Sequence, residues 1–164
     1  ETVYADLRAM RDQSKTVDYF DVQLGYANVK VTLKSTSLSR EIGPRFTLHG
    51  TLGSFVKYGL DPQEDQLKLG KKPFASDLPT WGSETADKWG KLNTTVPSTQ
   101  LHVEGKIETL QGCYQNYYSN VHDAIVNRTS LEVTAEQALR VIKLIELSEQ
   151  SSKEKKVIQV PADL

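Results

Sequence analysis

One lysine and a cluster of tyrosines are the residues of this chain that could transfer a proton or bind a substrate. Lys57 lies within a strand-like run and would suit proton transfer if burial lowered its pKa. Without a visible partner, it is interpreted as a solvated strand residue. Tyr114, Tyr117 and Tyr118 recur at helical spacing, and their hydroxyls could meet a substrate or lie at the edge of a core. The candidate substrate-binding residues are therefore Lys57, Tyr114 and Tyr118.

No other residue pattern indicates a catalytic, metal or cofactor site. His49, His102 and His122 are isolated from one another, and no pair has the spacing of metal ligands. Cys113 is the only cysteine, and we interpret it as a small residue at a helix start rather than a reactive thiol. The two glycines of HGTLGSF predict a hairpin, because no helix follows them to bind a phosphate. We therefore expect no catalytic, metal-binding or cofactor-binding residue here.

The elements that position these residues begin with strands. Apolar and polar residues alternate at about residues 3–10, 19–26, 29–34, 45–49 and 54–58, as in half-buried strands. Their short connections predict antiparallel pairing. Asp61, Pro62 and Glu64 then mark the start of a short helix. Residues 70–97 predict an irregular segment, and residues 100–110 a late strand.

Two helices are predicted near the end. An apolar stripe from Tyr114 to Ile125 indicates the first helix. Thr134 and Gln137 have the spacing of a capping box for the second, whose apolar residues wrap most of its surface and should be well buried. Residues 157–160 predict an edge strand.

This order of strands followed by helices predicts an α+β fold. We expect an open, predominantly antiparallel (mixed) β-sheet with helices packed on one face. The other face would expose Tyr, Thr, Lys, Gln and His side chains, which favours an interface. At 164 residues the chain fits a single domain, residues 1–160, with a tail at residues 161–164.

The composition excludes some classes of partner. Lys and Arg number 20 against 21 Asp and Glu, for a net charge of -1, so neither nucleic acid nor an anionic membrane is expected as a partner. No apolar run approaches a membrane span, and the start lacks a signal-peptide pattern. A single cysteine permits no internal disulfide, which is consistent with the cytoplasm.

Two segments resemble a known family. They are RFTLHGTLGSFVKYGLDPQE, residues 45–64, and LEVTAEQALRVIKLIELSEQSS, residues 131–152. Together they are similar to the C-terminal domain of the Gfo/Idh/MocA oxidoreductases, such as glucose–fructose oxidoreductase and inositol dehydrogenase. In that family an N-terminal nucleotide-binding domain precedes an α+β substrate and dimerisation domain. The resemblance therefore implies that this chain is an excised C-terminal piece.

The resemblance also implies an activity and partners. The parent would oxidise a sugar or polyol hydroxyl and pass hydride to NAD or NADP, while this fragment alone would be inactive. The Glu-Lys-Pro motif and the Asp/His pair that relatives use are not in this chain, so no catalytic residue carries over. Partners would be a second copy, as a homodimer or higher homo-oligomer through the exposed sheet face, and the N-terminal nucleotide-binding domain. The alternative is a non-catalytic carbohydrate- or partner-binding module.

Overall fold

A computed structural model describes residues 1–74, 79–162 and 164 of the chain. Its strands are β1 (Thr2–Arg8), β2 (Tyr19–Gly25), β3 (Lys30–Thr36), β4 (Phe46–Gly50), β5 (Gly53–Lys57), β6 (Gly90–Val96), β7 (Leu101–Ile107) and β8 (Ile158–Gln159). Its helices are α1 (Gln63–Lys68), α2 (Tyr114–Val126) and α3 (Ala135–Glu154). Residues 75–78 of the predicted irregular segment and Asp163 of the predicted tail lie outside the described residues.

The chain divides into two compact units, Glu1–Glu41 with Leu131–Leu164, and Ile42–Ser130. Each unit contains one four-stranded antiparallel sheet, in the orders β3-β2-β1-β8 and β4-β5-β6-β7. The α+β class and the open antiparallel sheets are confirmed, with the strands shared between two sheets. The boundary of a single domain at residue 160 stays a prediction. None of the described helices is long and apolar enough to cross a bilayer.

The first unit has its core between the sheet and α3. Val3, Ala5 and Val22 are buried on the inner face of the sheet, and Leu144 and Leu147 of α3 pack against them. Removing a valine or leucine side chain fully from water stabilises by roughly 1.5–3 kcal/mol. The tyrosine, lysine and threonine residues of β1, β2 and β3 alternate with this inner face, as the sequence pattern predicts.

Two serines of α3 complete the hydrogen bonding of β1. β8 pairs only with the first two residues of β1, so the amides farther along the strand need other acceptors. Ser151 Oγ accepts from the Ala5 amide at 3.0 Å, and Ser152 Oγ accepts from the Leu7 amide at 2.9 Å. Ser151 is fully buried and also donates to the Lys156 carbonyl at 2.6 Å. The helix is thereby held to the strand by polar as well as apolar contacts.

Asp18 organises the connection between β1 and β2. Its carboxylate accepts from the Met10 amide at 2.6 Å and from the Arg11 amide at 3.1 Å. The Arg11 guanidinium adds a contact at 2.9 Å. These contacts lower the pKa of Asp18 to about 2. The hydrogen bond from the Met10 amide is the largest cause, and the one from the Arg11 side chain is the next.

The second unit has one polar and one apolar sheet face. The strand register places Phe46, Phe55, Leu92 and Val103 on the same face, while His49 lies on the other. On the polar face, neighbouring side chains are bonded across strands: His49 to Ser54, Asn93 to His102, Asn93 to Glu104 and Lys91 to Glu104. Most side chains of the two edge strands β4 and β7 are exposed on both faces.

The positions of the elements largely follow the sequence pattern. The antiparallel β2–β3 pair, α2, the edge strand β8 and the capping box of Thr134 and Gln137 are all confirmed. The predicted Asp61 cap is shifted, because Asp61 Oδ1 accepts from the Gln63 amide at 2.9 Å while Pro62 occupies the N-cap position. The irregular segment was predicted too long, because β6 begins at Gly90.

The predicted burial of α3 is wrong. α3 buries only Ser148 and Ser151, and its apolar residues Leu139, Ile142 and Ile145 are about half exposed. In α2 no residue is buried, so the tyrosine stripe is not a core within this chain. Helical periodicity identifies which face is apolar, but it does not show whether the same chain covers that face.

Candidate functional site

The second unit contains a buried ion pair. Lys57 Nζ lies 2.5 Å from Glu84 Oε2, and the two side chains are 11% and 4% exposed. The same ammonium also donates to the Tyr58 carbonyl at 3.1 Å and to the Lys88 carbonyl at 3.2 Å. Since an ammonium has three N–H donors, all of them are used within the protein. Lys57 therefore holds the end of β5 to the loop that contains Glu84.

Gln63, the first residue of α1, joins three segments from a fully buried position. Its Nε2 donates to Asp61 Oδ2 at 2.7 Å, and its Oε1 accepts from the Tyr114 amide at 3.1 Å. The latter bond satisfies one of the free N–H groups at the start of α2. Gln63 thus fixes where Tyr114 and the tyrosine stripe begin.

Two glycines allow these segments to approach closely. Gly82 has φ +82°, a conformation that side chains rarely adopt, and the Gly112 amide donates to its carbonyl at 3.3 Å. A Cβ at Gly82 would overlap the Gly112 backbone, and a Cβ at Gly112 would overlap the Asp61 carboxylate. Gln111 Nε2 additionally donates to the Trp81 carbonyl. The loop around Trp81 is therefore held from two sides.

An open cleft of about 550 Å³ lies against this loop. Trp81, Ser83 and Gln66 contribute to its wall. The other lining residues are Pro62, Gly70, Lys71, Lys72, Phe74, Thr80 and Gly82. Its size lies within the roughly 300–1,000 Å³ of small-molecule sites, and an aromatic ring with a few polar groups is the usual lining of such sites.

The predicted tyrosines are presented on the surface of α2. Tyr114 and Tyr118 lie one helical turn apart and are 45% and 71% exposed. Tyr117 and Tyr118 meet edge to face with centroids 5.3 Å apart. Their hydroxyls are accessible to a ligand, and substrate binding by Lys57, Tyr114 and Tyr118 stays a prediction.

Sequence reasoning missed the residues that build this site. Glu84 and Gln63 have no local signal, because their partners lie 27 and 51 residues away along the chain. The one available hint was Trp81-Gly82, an aromatic residue beside a glycine inside a segment rich in turn-forming residues.

The described residues do not fit a dinucleotide cofactor. Such a cofactor needs a glycine-rich turn between a strand and a helix, usually within a parallel sheet. Both sheets formed by the described residues are antiparallel, and the glycines of HGTLGSF form the β4–β5 hairpin. We therefore assign no chemical step of a nicotinamide to residues of this chain.

Comparison with known proteins identifies the family. Residues 1–160 match the family model of the oxidoreductase C-terminal α/β domain, of the Gfo/Idh/MocA group. The chain belongs to this family. It is 38% identical over 160 residues to scyllo-inositol 2-dehydrogenase (NADP(+)) IolW of Bacillus subtilis, covering 98% of this chain and 43% of that protein.

Further relatives agree with this membership of the Gfo/Idh/MocA C-terminal family. The uncharacterized oxidoreductase YdgJ of Escherichia coli is 38% identical over 148 residues, covering 90% of this chain and 41% of that protein. The crystal structure of an oxidoreductase from Bacillus cereus superposes with a TM-score of 0.83 at 32% identity, covering 98% of this chain and 46% of that one. This chain thus spans about two fifths of the length of the curated relatives it matches.

Proposed function

We propose that this chain is the substrate-binding and dimerisation domain of an NAD(P)-dependent oxidoreductase that acts on a sugar or polyol hydroxyl. The observation that carries the proposal is the similarity over 160 residues to a protein named as an NADP(+)-dependent scyllo-inositol dehydrogenase. The oxidoreductases among its relatives support the reaction class. The cytoplasm is the compartment that we expect.

The cleft beside α1 supports a role in substrate binding. It combines the indole of Trp81 with the hydroxyl of Ser83 and the amide of Gln66, groups that suit a ring with several hydroxyls. Tyr114 and Tyr118 offer further hydroxyls on α2, whose start is fixed by Gln63. These residues would orient the substrate rather than transfer its proton, and hydride transfer would belong to a cofactor held elsewhere.

The cofactor site would lie in an N-terminal nucleotide-binding domain of the same polypeptide. The described residues of this chain do not fit a dinucleotide, which supports a cofactor site in a separate domain. So does the fact that the chain matches less than half of its curated relatives. Bound there, NAD or NADP would accept hydride from the substrate carbon.

Calorimetric titration of the purified chain tests this division. NADPH and NADH should give no measurable heat at micromolar concentrations, and the chain should not oxidise inositols or sugars with either oxidised cofactor. Micromolar binding of NADPH to residues 1–164 would contradict the proposal. A chain that binds sugars tightly and whose gene encodes no nucleotide-binding domain would instead favour the carbohydrate-binding module.

We also propose that a second copy packs on the polar face of the β4–β7 sheet. The supporting observation is that cross-strand bonds hold the polar side chains of this face in place, which lowers the entropy cost of ordering them against a second copy. Sedimentation equilibrium of the chain should show a dimer that Thr47→Arg on this face weakens. Asn116→Arg on α2 is the control and should leave the dimer unchanged. A monomer at all concentrations would contradict this part of the proposal.

A further inference from the structure

The cleft beside α1 has a positive charge that its own lining does not neutralise. Lys71 and Lys72 both line it, and the other lining residues among those that the structure describes are uncharged. Both lysines are exposed, and neither forms an ion pair with any residue in the described ranges 1–74, 79–162 and 164. An exposed lysine is by itself common. Two adjacent lysines on the wall of a cleft with an aromatic residue are the feature to explain.

The carboxylates of α1 are directed to another lysine. Glu64 lies 2.8 Å from Lys68, and this contact lowers the pKa of Glu64. The same contact raises the pKa of Lys68, to which Asp65 adds a smaller effect. These acidic groups therefore stabilise the helix face around Lys68 rather than the lysines of the cleft.

The carboxylates of the neighbouring segments are engaged as well. Glu84 is buried against Lys57 at 2.5 Å. Asp61 accepts from the side chain and the amide of Gln63. Neither acidic group lines the cleft, so Lys71 and Lys72 are the charged groups of its described lining.

The backbone that carries the aromatic wall of the cleft is held in position. The Trp81 carbonyl accepts from Gln111, and the neighbouring Gly82 is bonded to Gly112 in a conformation that only glycine adopts easily. A fixed backbone at Trp81 lowers the entropy cost of ordering this loop when a ligand binds. The apolar face of a sugar ring can pack on such an indole while ammonium groups bind an anionic substituent as point charges.

We propose that the cleft binds an anionic sugar derivative, a sugar phosphate or a sugar acid, through Lys71 and Lys72 with Trp81 against the ring. This inference rests on the proposed function, because it names the substrate class of that site. A neutral polyol would make no use of the charge of either ammonium group.

Tryptophan fluorescence of the chain provides the test. The chain has two tryptophans, so Trp89→Phe leaves Trp81 as the only reporter. We expect glucose 6-phosphate and glucuronate to change its emission with a Kd about tenfold lower than that of glucose. Raising the salt concentration should weaken the binding of both anions and leave the binding of glucose unchanged. Calorimetry on the unmodified chain repeats the measurement without the Trp89 substitution.

Lysine variants assign the effect to the cleft. Lys71→Gln with Lys72→Gln should raise the Kd for glucose 6-phosphate about tenfold or more. Lys15→Gln with Lys30→Gln, two exposed positions of the first unit, removes the same charge and should leave binding unchanged. Circular dichroism verifies that both double variants are folded.

Several results would overturn the inference. One is equal affinity for glucose and glucose 6-phosphate, and another is equal affinity for inorganic phosphate and glucose 6-phosphate. The others are an unchanged Kd in the Lys71 and Lys72 double variant, and no binding of any of these sugars. Tighter binding of 2′,5′-ADP than of glucose 6-phosphate would assign the lysines to a nucleotide phosphate and also contradict it. Failure of the proposed function has a different signature, namely micromolar NADPH binding whatever the sugar. The two can therefore fail independently.

Discussion

The ion pair of Lys57 and Glu84 permits the sharpest test of how the second unit is stabilised. Lys57→Met removes the ammonium and leaves a carboxylate that is 4% exposed without its counter-charge. The two Oε atoms differ already in the wild type, because Glu84 Oε1 is buried and has no hydrogen-bond partner among the described residues. Removing one member of a buried pair costs about 3–5 kcal/mol. The melting temperature should fall by about 2–4 °C per kcal/mol.

A second ion pair in the same sheet is the matched control. Lys91 Nζ also lies 2.5 Å from a carboxylate, Glu104 Oε1, but these side chains are 61% and 47% exposed. Exposed pairs contribute about 1 kcal/mol or less, so Lys91→Met should have a small effect. Lys57→Met with Glu84→Leu removes both buried charges and should recover most of the stability that the single variant loses.

Urea unfolding followed by tryptophan fluorescence measures these differences. The urea concentration at the unfolding midpoint should be well below the wild-type value for Lys57→Met, and the slope of the unfolding free energy against urea should be unchanged. For Lys91→Met the midpoint should hardly change. Equal losses for the two variants would refute the reasoning. That result would mean that the Lys57 ammonium is solvated, and it would then be available to a ligand as the sequence-based prediction requires.

Three further predictions concern the first unit. Ser151→Ala should destabilise by about 1–3 kcal/mol, because the buried Ala5 amide loses its acceptor, whereas Ser148→Ala removes only a bond within its own helix and should change the urea midpoint little. Asp18→Asn should lower stability at pH 7. Since the folded pKa of Asp18, about 2, lies below its unfolded value near 3.8, the carboxylate stabilises above pH 3.8, and wild type and variant should converge as the pH falls to 2. Thr134→Ala should cost about 1 kcal/mol in thermal unfolding through loss of the capping box.

Local patterns predicted most of the secondary structure but missed β6. The strand GKLNTTV has few apolar residues, and the pattern there resembles a turn-rich segment. Gly90, which reads as a turn residue, is buried in the sheet because the Phe55 ring packs where a Cβ would be. A glycine that makes room for an aromatic ring on the next strand has no signature in its own neighbourhood.

The polar contacts that build the candidate site could not be predicted for a related reason. Lys57 meets Glu84 across 27 residues, and Ser151 meets Ala5 across 146 residues. Periodicity reports the face of an element on which a residue lies. It contains no information on which distant backbone groups lack a hydrogen-bond partner within their own strand or helix. Those groups determine which partners a buried lysine or serine binds.

The exposure of α2 and α3 shows the opposite limit, since here the apolar pattern was clear but did not show whether this chain covers it. Tyr117 and Ile125 of α2 and Ile142 of α3 recur at helical spacing, yet all are more than half exposed. An apolar stripe costs free energy in water, so a stripe this regular indicates a surface that is covered when the protein functions. The proposed nucleotide-binding domain is the partner available to cover it. Amide hydrogen exchange should therefore show α2 protected more strongly in the full-length protein than in this chain, and equal protection would separate the stripe from any such contact.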